Sequence, residues 1–185
     1  MDRLPQRKSP RLPGYDYNQA GVYFVTFCTK ARENLLARIT PSECVGTHQD
    51  ASVLTLTDIG QVVNRMVQVL PLRYPAIYLE SYVIMPNHVH LLLRIVSEER
   101  TLREASLHKS APKQRALLAK AIGYLKMNAT KTVRCQYPFM VLWQERYYDH
   151  IVRNEADYLR IMQYIENNPE KWKEDCFYNE PGPAS

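Results

Sequence analysis

The sequence predicts an α+β domain in which strands pair as an antiparallel sheet and helices cover it. Two apolar segments, 22–29 and 77–84, are rich in β-branched and aromatic residues, as buried strands are. A third such segment, 88–95, follows the second after a three-residue break that contains Pro86, which favours antiparallel neighbours. Helical patterns lie between and after these segments, and their interleaving with strands indicates the α+β class.

The chain before the first strand, residues 1–19, is a basic arm rich in proline. We expect this arm either to lack fixed structure or to lie along a phosphate backbone. One domain is expected over residues 20–175, followed by a tail over residues 176–185. We expect the chain to fray after Trp172, because its end is Pro-Gly-Pro-Ala-Ser.

The segment after the first strand, residues 35–56, has short apolar patches that indicate a hairpin or an irregular insertion. A helix is predicted next. Thr57 is a suitable N-cap, and the apolar residues from Ile59 to Leu70 have helical spacing. We expect Pro71 to end this helix.

The second half of the chain predicts two further helices. Over residues 113–133 the apolar residues recur three and four apart, the pattern of an amphipathic helix. Residues 137–148 are aromatic and without regular pattern. The last helix is expected over about residues 155–167, since Pro169 disfavours its continuation.

The composition is that of a globular protein with a basic balance. The 185 residues are 45% hydrophobic and 23% charged, with a formal net charge of +5, which suggests an anionic partner. The four cysteines form no C-x-x-C pair, which argues against a zinc knuckle or a redox dithiol, and we expect reduced thiols. The chain has no apolar N-terminal region of the secretory type and no apolar run of about 20 residues. We therefore expect a cytoplasmic protein without a membrane partner.

Two histidines, His88 and His90, give the sharpest local signal. In a strand, residues two apart point to the same face, so the imidazoles project side by side and Val89 points away. Such a pair on a rigid strand can hold a divalent metal. The alternative is structural, with one histidine capping the turn and the other half-buried. An unsatisfied ring is costly in such apolar surroundings, which favours the metal site.

A second signal lies in the last predicted helix, where Tyr164 and Asn168 are four residues apart and share one face. A phenol can attack a phosphodiester and keep the phosphate as a covalent ester. An amide oxygen on the same face could be a third metal ligand. The alternative is packing, with the hydroxyl hydrogen-bonded, because the chain has 13 tyrosines.

Two long motifs together resemble those of the REP-associated tyrosine transposases, of the HUH single-tyrosine superfamily, which moves or processes single-stranded DNA. The first is Met85-Pro-Asn-His-Val-His-Leu-Leu92. The second starts at Trp143-Gln-x-x-Tyr-Tyr-Asp-His-Ile-Val-Arg-Asn-Glu and ends at Tyr164-Ile-x-x-Asn-Pro169. The similarity covers most of the chain, including residues 8–17 and 168–172.

The resemblance implies a ferredoxin-like antiparallel sheet with helices on its faces. It makes His88 and His90 the HUH pair, Tyr164 the nucleophile and Asn168 the residue that completes a site for Mg²⁺ or Mn²⁺. The implied reaction leaves a 5′-phosphotyrosine and a free 3′-hydroxyl, and a second 3′-hydroxyl can reverse it. The implied partner is single-stranded DNA, often a hairpin of a palindromic repeat. Whether the chain forms a homodimer, with the tyrosine serving the partner subunit, stays open.

The DNA path is predicted from basic residues. Residues 109–134 contain seven lysines and arginines and no acid, which favours a phosphate track over a merely solvated helix face. Single-strand binding also uses aromatic platforms, for which Tyr147, Phe139 and Trp143 are further candidates. The predicted DNA-contacting residues are Lys109, Lys113, Arg115, Lys120, Lys126, Lys131, Arg134, Arg7, Lys8, Arg11 and Tyr148.

Three hypotheses follow for the activity. The leading one is a metal-dependent DNA endonuclease and strand transferase that uses Tyr164. The second is a regulatory protein derived from a transposase, which binds DNA hairpins without catalysis. The third is a metal-dependent phosphodiesterase in which water is the nucleophile.

Overall fold

A computed structural model of the protein describes residues 20–41, 52–96 and 117–179. The predicted basic arm lies outside these residues, as do Lys109, Lys113 and Arg115. The strands are β1 (Gly21–Cys28), β2 (Ala37–Pro41), β3 (Ser52–Leu56), β4 (Ile77–Ile84), β5 (His88–Ile95) and β6 (Tyr148–Val152). The helices are α1 (Asp58–Arg73), α2 (Leu117–Val133) and α3 (Glu155–Asn167).

Four strands form one antiparallel sheet in the order β4-β5-β1-β6. Along the chain these strands and two helices follow one another as β1-α1-β4-β5-α2-β6, which is the ferredoxin-like arrangement. The strands β2 and β3 form a separate hairpin between β1 and α1. The predicted α+β class is therefore confirmed, and residues 35–56 contain a hairpin as expected.

One face of the sheet packs against α1 and α2. Alternate strand residues such as Val25, Val89 and Leu91 point to this face and are fully buried. They meet the apolar sides of both helices, for example Val63 and Leu125. This is the larger of the two hydrophobic clusters in the described residues, and its buried members are apolar throughout.

The opposite face packs against α3. Ile161 and Ile165 of this helix join Val83 and Leu92 of the sheet and Trp172, which follows the helix, in a smaller cluster. Two polar side chains, His88 and His90, also project onto this face from β5. This second face therefore holds the candidate site.

One expectation about local structure is wrong, and one strand was not predicted. Pro71 does not end the first helix, because α1 continues to Arg73. Proline removes only its own N–H donor, and one turn later the Tyr74 N–H still donates to the Leu70 carbonyl at 2.9 Å. The strand β6 was not predicted, and it begins at Tyr148, the last residue of the segment expected to be irregular. Its polar residues hide the strand pattern, and β6 lies at the sheet edge, where apolar alternation is weakly required.

No helix in the described segments is both long and apolar enough to cross a lipid bilayer. Three of the four cysteines, Cys28, Cys135 and Cys176, lie in these segments, and all three are free thiols. Burial raises the pKa of the Cys28 thiol to about 11, so this cysteine is protonated and unreactive at neutral pH.

Candidate active site

The two histidines lie side by side on β5, one of the two inner strands of the sheet. On the neighbouring strand β1, His88 is opposite Cys28 and His90 is opposite Thr26. Both rings are buried, and the two Nε2 atoms are 3.0 Å apart. The pleat of a central strand thus fixes both imidazoles, as the sequence pattern predicts.

Hydrogen bonds determine which nitrogen of His88 carries a proton. The Asn87 amide nitrogen donates to the carbonyls of Phe177 at 2.8 Å and Arg32 at 3.2 Å, so its orientation is settled. The Asn87 Oδ1 atom must then accept, and His88 Nδ1, 2.9 Å away, must be its donor. The Nε2 atom of His88 therefore presents a lone pair to the site.

The backbone that supplies one of these carbonyls is strained. Ala31 and Arg32 have φ angles of 54° and 58°, the left-handed region that non-glycine residues rarely adopt. Such residues persist only where their surroundings hold them. Here the Arg32 carbonyl accepts from the side-chain amides of Asn87 and Asn179. The strained residues are therefore connected to His88 through Asn87.

His90 is held by a second set of contacts. The Thr26 hydroxyl lies 2.7 Å from His90 Nδ1, and the Phe24 ring stacks on the imidazole at 5.1 Å between centroids. Because His88 Nε2 presents a lone pair 3.0 Å from His90 Nε2, a proton or a cation must lie between these nitrogens. A bound cation would require the His90 proton on Nδ1, where the Thr26 oxygen can accept it.

Burial keeps both histidines neutral. Desolvation, followed by the nearby Arg32 guanidinium, lowers the pKa of His88 to about 3. Desolvation and the neighbouring His88 also hold the pKa of His90 well below its ordinary value. Neutral imidazoles are the form in which histidines ligate metals.

Tyr164 on α3 reaches the same place. Its hydroxyl is 3.3 Å from His90 Nε2, and its ring meets the Phe24 ring edge-on. The hydroxyl also donates to Asp175 Oδ2 at 3.2 Å. Burial, and then the charge of Asp175, raise the pKa of this phenol, so Tyr164 is protonated here. The structure thus brings together the two distant motifs of the sequence.

Asp175 was not predicted, yet it lies at the centre of the site. Its Oδ2 accepts hydrogen bonds from Tyr164 and from Asn168 Nδ2, the latter at 2.9 Å. Its Oδ1 accepts from the Phe177 N–H at 2.7 Å, which fixes the carboxylate. One ligand atom from each of His88, His90 and Asp175 falls within 4.8 Å of the others, close enough to share a metal ion.

Asn168, the predicted third ligand, reaches the site through Asp175. It is buried just after α3, and its Nδ2 donates to the carboxylate. Its Oδ1 is buried without a hydrogen-bond partner among the described residues. A buried carbonyl oxygen without a donor is costly unless another group satisfies it. The role of Asn168 as a ligand stays a prediction.

The segment after Trp172 forms one wall of the site up to Asn179, so the expected fraying is wrong there. The Phe177 ring lies 4.6 Å from the His88 ring, and the Arg32 guanidinium lies 5.0 Å above Phe177. The signal that could have indicated this packing is Phe177-Tyr178, an aromatic pair that a solvated tail does not need. Residues 180–185 lie outside the described chain.

The predicted DNA-contacting residues fall into two groups among those described. Lys120, Lys131 and Arg134 on or just after α2 are exposed, as a phosphate track requires. Arg134 also donates to the Met140 carbonyl at 3.1 Å. Lys126 differs in being half-buried, and its ammonium donates to the carbonyls of Gln144 at 2.6 Å and Glu145 at 3.1 Å. Tyr148 is 62% exposed and lies opposite Thr26 on β6, close to the histidines.

Comparison with known proteins gives two sequence relatives, whereas no protein-family model matches the chain. The chain is 31% identical over 182 residues to an uncharacterised protein of Haemophilus influenzae, covering 95% of this chain and 94% of the relative. A second protein of that bacterium, described as a candidate REP-associated tyrosine transposase, is 29% identical over 90 residues. That match covers 48% of this chain and 47% of the relative.

A solved structure shares the fold. It is a REP-associated tyrosine transposase bound to a REP hairpin, with a TM-score of 0.56 and 18% sequence identity. The likeness covers 88% of this chain and 74% of that chain. At this identity the likeness is one of fold, and the sequence similarity to the Haemophilus influenzae proteins spans nearly the whole chain in one case and about half of it in the other.

Proposed function

We propose that this chain cleaves and rejoins single-stranded DNA, with Tyr164 as the nucleophile. The observation that carries the proposal is the 3.3 Å distance between the Tyr164 hydroxyl and His90 Nε2. The two residues are 74 positions apart in the chain, and a packing tyrosine has no need of a buried pair of imidazoles. A phosphodiester placed at this point would meet a nucleophile and a metal site together.

The residues present fit a divalent metal, which we propose to be Mg²⁺ or Mn²⁺. His88 and His90 would supply neutral nitrogens and Asp175 an anionic oxygen, and the partnerless Asn168 Oδ1 is a further oxygen donor. Asn87 and Thr26 orient the two rings from behind, as outer ligands of metal sites do. When bound, such an ion polarises the scissile phosphate and stabilises charge on the leaving 3′-oxygen.

The chain's own residues account for the nucleophile. The Tyr164 oxygen forms a bond to phosphorus as the bond from phosphorus to the 3′-oxygen breaks. Asp175 already accepts a hydrogen bond from this phenol, so it is placed to take the proton, while the 3′-oxygen is protonated by solvent. The product is a 5′-phosphotyrosine. A 3′-hydroxyl can attack this ester in reverse, which rejoins DNA without another energy source.

The substrate we propose is a DNA hairpin with a single-stranded flank. This rests on the related transposase that was solved with a REP hairpin, together with the basic side of α2. Lys131 and Arg134 are exposed on that side and can contact phosphates. Lys126 lines the same surface cavity as Lys131 and Arg134, but it is half-buried and bonded to the Gln144 carbonyl, so we assign it to holding the loop before β6.

The test is a denaturing gel of labelled hairpin DNA incubated with the protein and Mn²⁺. We expect a covalent protein–DNA adduct that Tyr164→Phe abolishes. Tyr158→Phe is the matched control, since Tyr158 lies on the same helix but donates to Glu80 at 2.8 Å, away from the histidines. Binding without any adduct would instead favour a regulatory hairpin-binding protein. Cleavage that survives Tyr164→Phe would favour a water nucleophile.

A further inference from the structure

A cavity of about 370 Å³ opens directly beside Tyr164, between β1, β6 and α3. Its volume lies within the range of roughly 300–1,000 Å³ that is usual for small-molecule sites. The candidate site and the cavity have His90 and Tyr164 in common. The lining side chains that determine which ligand the cavity can bind are Phe24, Tyr148, His150, Arg160, Tyr164 and Phe177.

The walls of this cavity are flat and aromatic. Phe24 is stacked on His90 and stands edge-on to Tyr164, with centroids 6.0 Å apart, so its ring is fixed. Tyr148 lies on the edge strand and is 62% exposed, although its ring is large and apolar. Phe177 closes the side nearest the histidines. Flat aromatic surfaces that stay open to solvent are the platforms on which unpaired bases stack.

The polar groups of the cavity are held by one carboxylate. Asp157 Oδ2 lies 2.7 Å from His150 Nε2, and the other oxygen of Asp157 accepts from Arg160. His150 and Arg160 lower the pKa of the Asp157 carboxyl, which therefore stays ionised and holds both partners. The cavity thus combines stacking surfaces with polar groups in fixed positions.

Arg160 also places a positive charge between this cavity and a second one. It lies one helical turn before Tyr164 on α3, its side chain is 70% exposed, and it lines both cavities. The second cavity is also lined by Lys171 and by the carboxylates of Glu174 and Asp175. A strand that puts a phosphate at Tyr164 would therefore have cations beside its backbone and an aromatic cavity beside its base.

We propose that this cavity binds one unpaired nucleobase next to the phosphodiester that Tyr164 attacks, with Arg160 contacting the backbone. The inference rests on the proposed function, because the occupant is identified by the strand that reaches Tyr164. It adds a specificity element, since the shape and hydrogen bonds of this cavity select which base precedes or follows the cut. A free aromatic metabolite would fit the walls, but only a base within a strand would also place phosphates beside Arg160 and Lys171, which line the neighbouring cavity.

The experiment starts from a library of hairpin oligonucleotides with randomised single-stranded flanks, selected for binding to Tyr164→Phe in Mn²⁺. Each flank position of the selected DNA is then replaced in turn by an abasic site or by 2-aminopurine. We expect one position at which base removal weakens binding about 5- to 100-fold, the range of base–aromatic stacking. The fluorescence of 2-aminopurine should fall at that same position because of stacking.

The variant Tyr148→Ala, made in the same background, should remove most of this effect, and Tyr148→Phe should restore it. Tyr78→Ala is the matched control, because Tyr78 is 54% exposed on the opposite edge strand of the sheet. Thermal unfolding verifies that each variant folds. If no flank position changes affinity by more than twofold on base removal, or if Tyr148→Ala leaves the effect intact, the cavity does not bind a base.

The two proposals fail in different ways. If the wild type forms no adduct with the selected DNA but the base effect depends on Tyr148, the strand-transfer function fails and the base site stands. If an adduct forms but neither its yield nor the affinity depends on the identity of any flanking base, the proposed base site is wrong and the strand-transfer function stands. A library that shows no binding at all overturns both.

Discussion

The two faces of the sheet are built from the same strands, but β5 contributes apolar side chains to one face and two histidines to the other. On β5, Val89 and Leu91 face α1 and α2 and join a cluster whose buried members are apolar. The residues that directly precede them in sequence, His88 and His90, face α3 and are equally buried. On the α1 and α2 face, the burial of apolar surface stabilises the fold. The other buries polar groups, and it does so only because the side chains behind them satisfy nearly every donor and acceptor.

This comparison teaches where function and stability separate in this chain. A β5 residue that faces α1 and α2 can be judged by its volume and contacts alone. A residue that faces α3 must be judged by what it donates to or accepts from. Since adjacent β5 residues fall on opposite faces, substitutions one position apart should give unlike results.

The largest effect is expected for His90→Ala. The variant removes a proposed metal ligand and the contact to Tyr164, so DNA cleavage should fall by at least about 10²–10³-fold, the loss for one electrostatic group in other enzymes. The adduct assay with hairpin DNA and Mn²⁺ measures it, and hairpin affinity should change by less than about threefold. Cleavage at more than a tenth of the wild-type rate would show that the two faces do not differ in this way.

The neighbouring variant Leu91→Ala should give the opposite result. Leu91 is fully buried against α1 and α2, so its truncation should cost about 2–5 kcal/mol of the free energy of unfolding. Denaturant unfolding measures this cost. Cleavage per folded molecule, assayed well below the unfolding transition, should stay near the wild-type value. A cost below about 1 kcal/mol would contradict the assignment of this face to stability.

On the α3 side of the sheet, the variant Asp175→Asn tests whether the charge of Asp175 contributes to metal binding. The amide keeps the shape of the side chain but loses the charge, so Mn²⁺ affinity should fall by roughly 10–100-fold. Isothermal titration calorimetry measures it. Glu174→Gln is the control, because this neighbouring carboxylate is exposed and lies outside the ligand group. Equal effects of the two variants would mean that the overall charge, and not the site, attracts the ion.

The smallest effect is expected on the exposed side of α2, which points away from the sheet. Lys131→Gln should weaken hairpin binding a few-fold and reduce the slope of log affinity against log salt by about 0.7–0.9, the value of one phosphate contact. Lys126→Gln should leave that slope unchanged and lower stability, because the ammonium bonds backbone carbonyls. Binding titrations at several salt concentrations compare the two. The same slope change in both would place Lys126 on DNA.

The sequence predicts the elements whose pattern is strong. Residues 77–84 and 88–95 form β4 and β5 with those bounds, and Thr57 caps α1 by accepting from the Gly60 N–H. The strand β6 is missed because Asp149 and His150 interrupt its apolar pattern, and sheet edges tolerate this. Pro71 shows that a proline in the last turn need not stop a helix.

For the site, sequence reasoning finds the groups whose spacing is informative and misses those placed by the fold. His88 with His90 and Tyr164 with Asn168 each have a periodic spacing that puts them on one face. Asp175 has none. It reaches the site because the chain after Trp172 folds back over the histidines, and a carboxylate near the end of the chain gives no local sign of this.

The proposed function requires Tyr164 and the two histidines to act at one site. The most direct test of this requirement is to identify the amino acid that becomes attached to DNA. The wild-type protein is incubated with hairpin DNA and Mn²⁺, digested with nuclease and protease, and analysed by tandem mass spectrometry. The account predicts a nucleotide attached through its 5′-phosphate to the Tyr164 oxygen. The same mass on Tyr148, Tyr158 or any other residue, or cleaved DNA with no modified peptide, would contradict it.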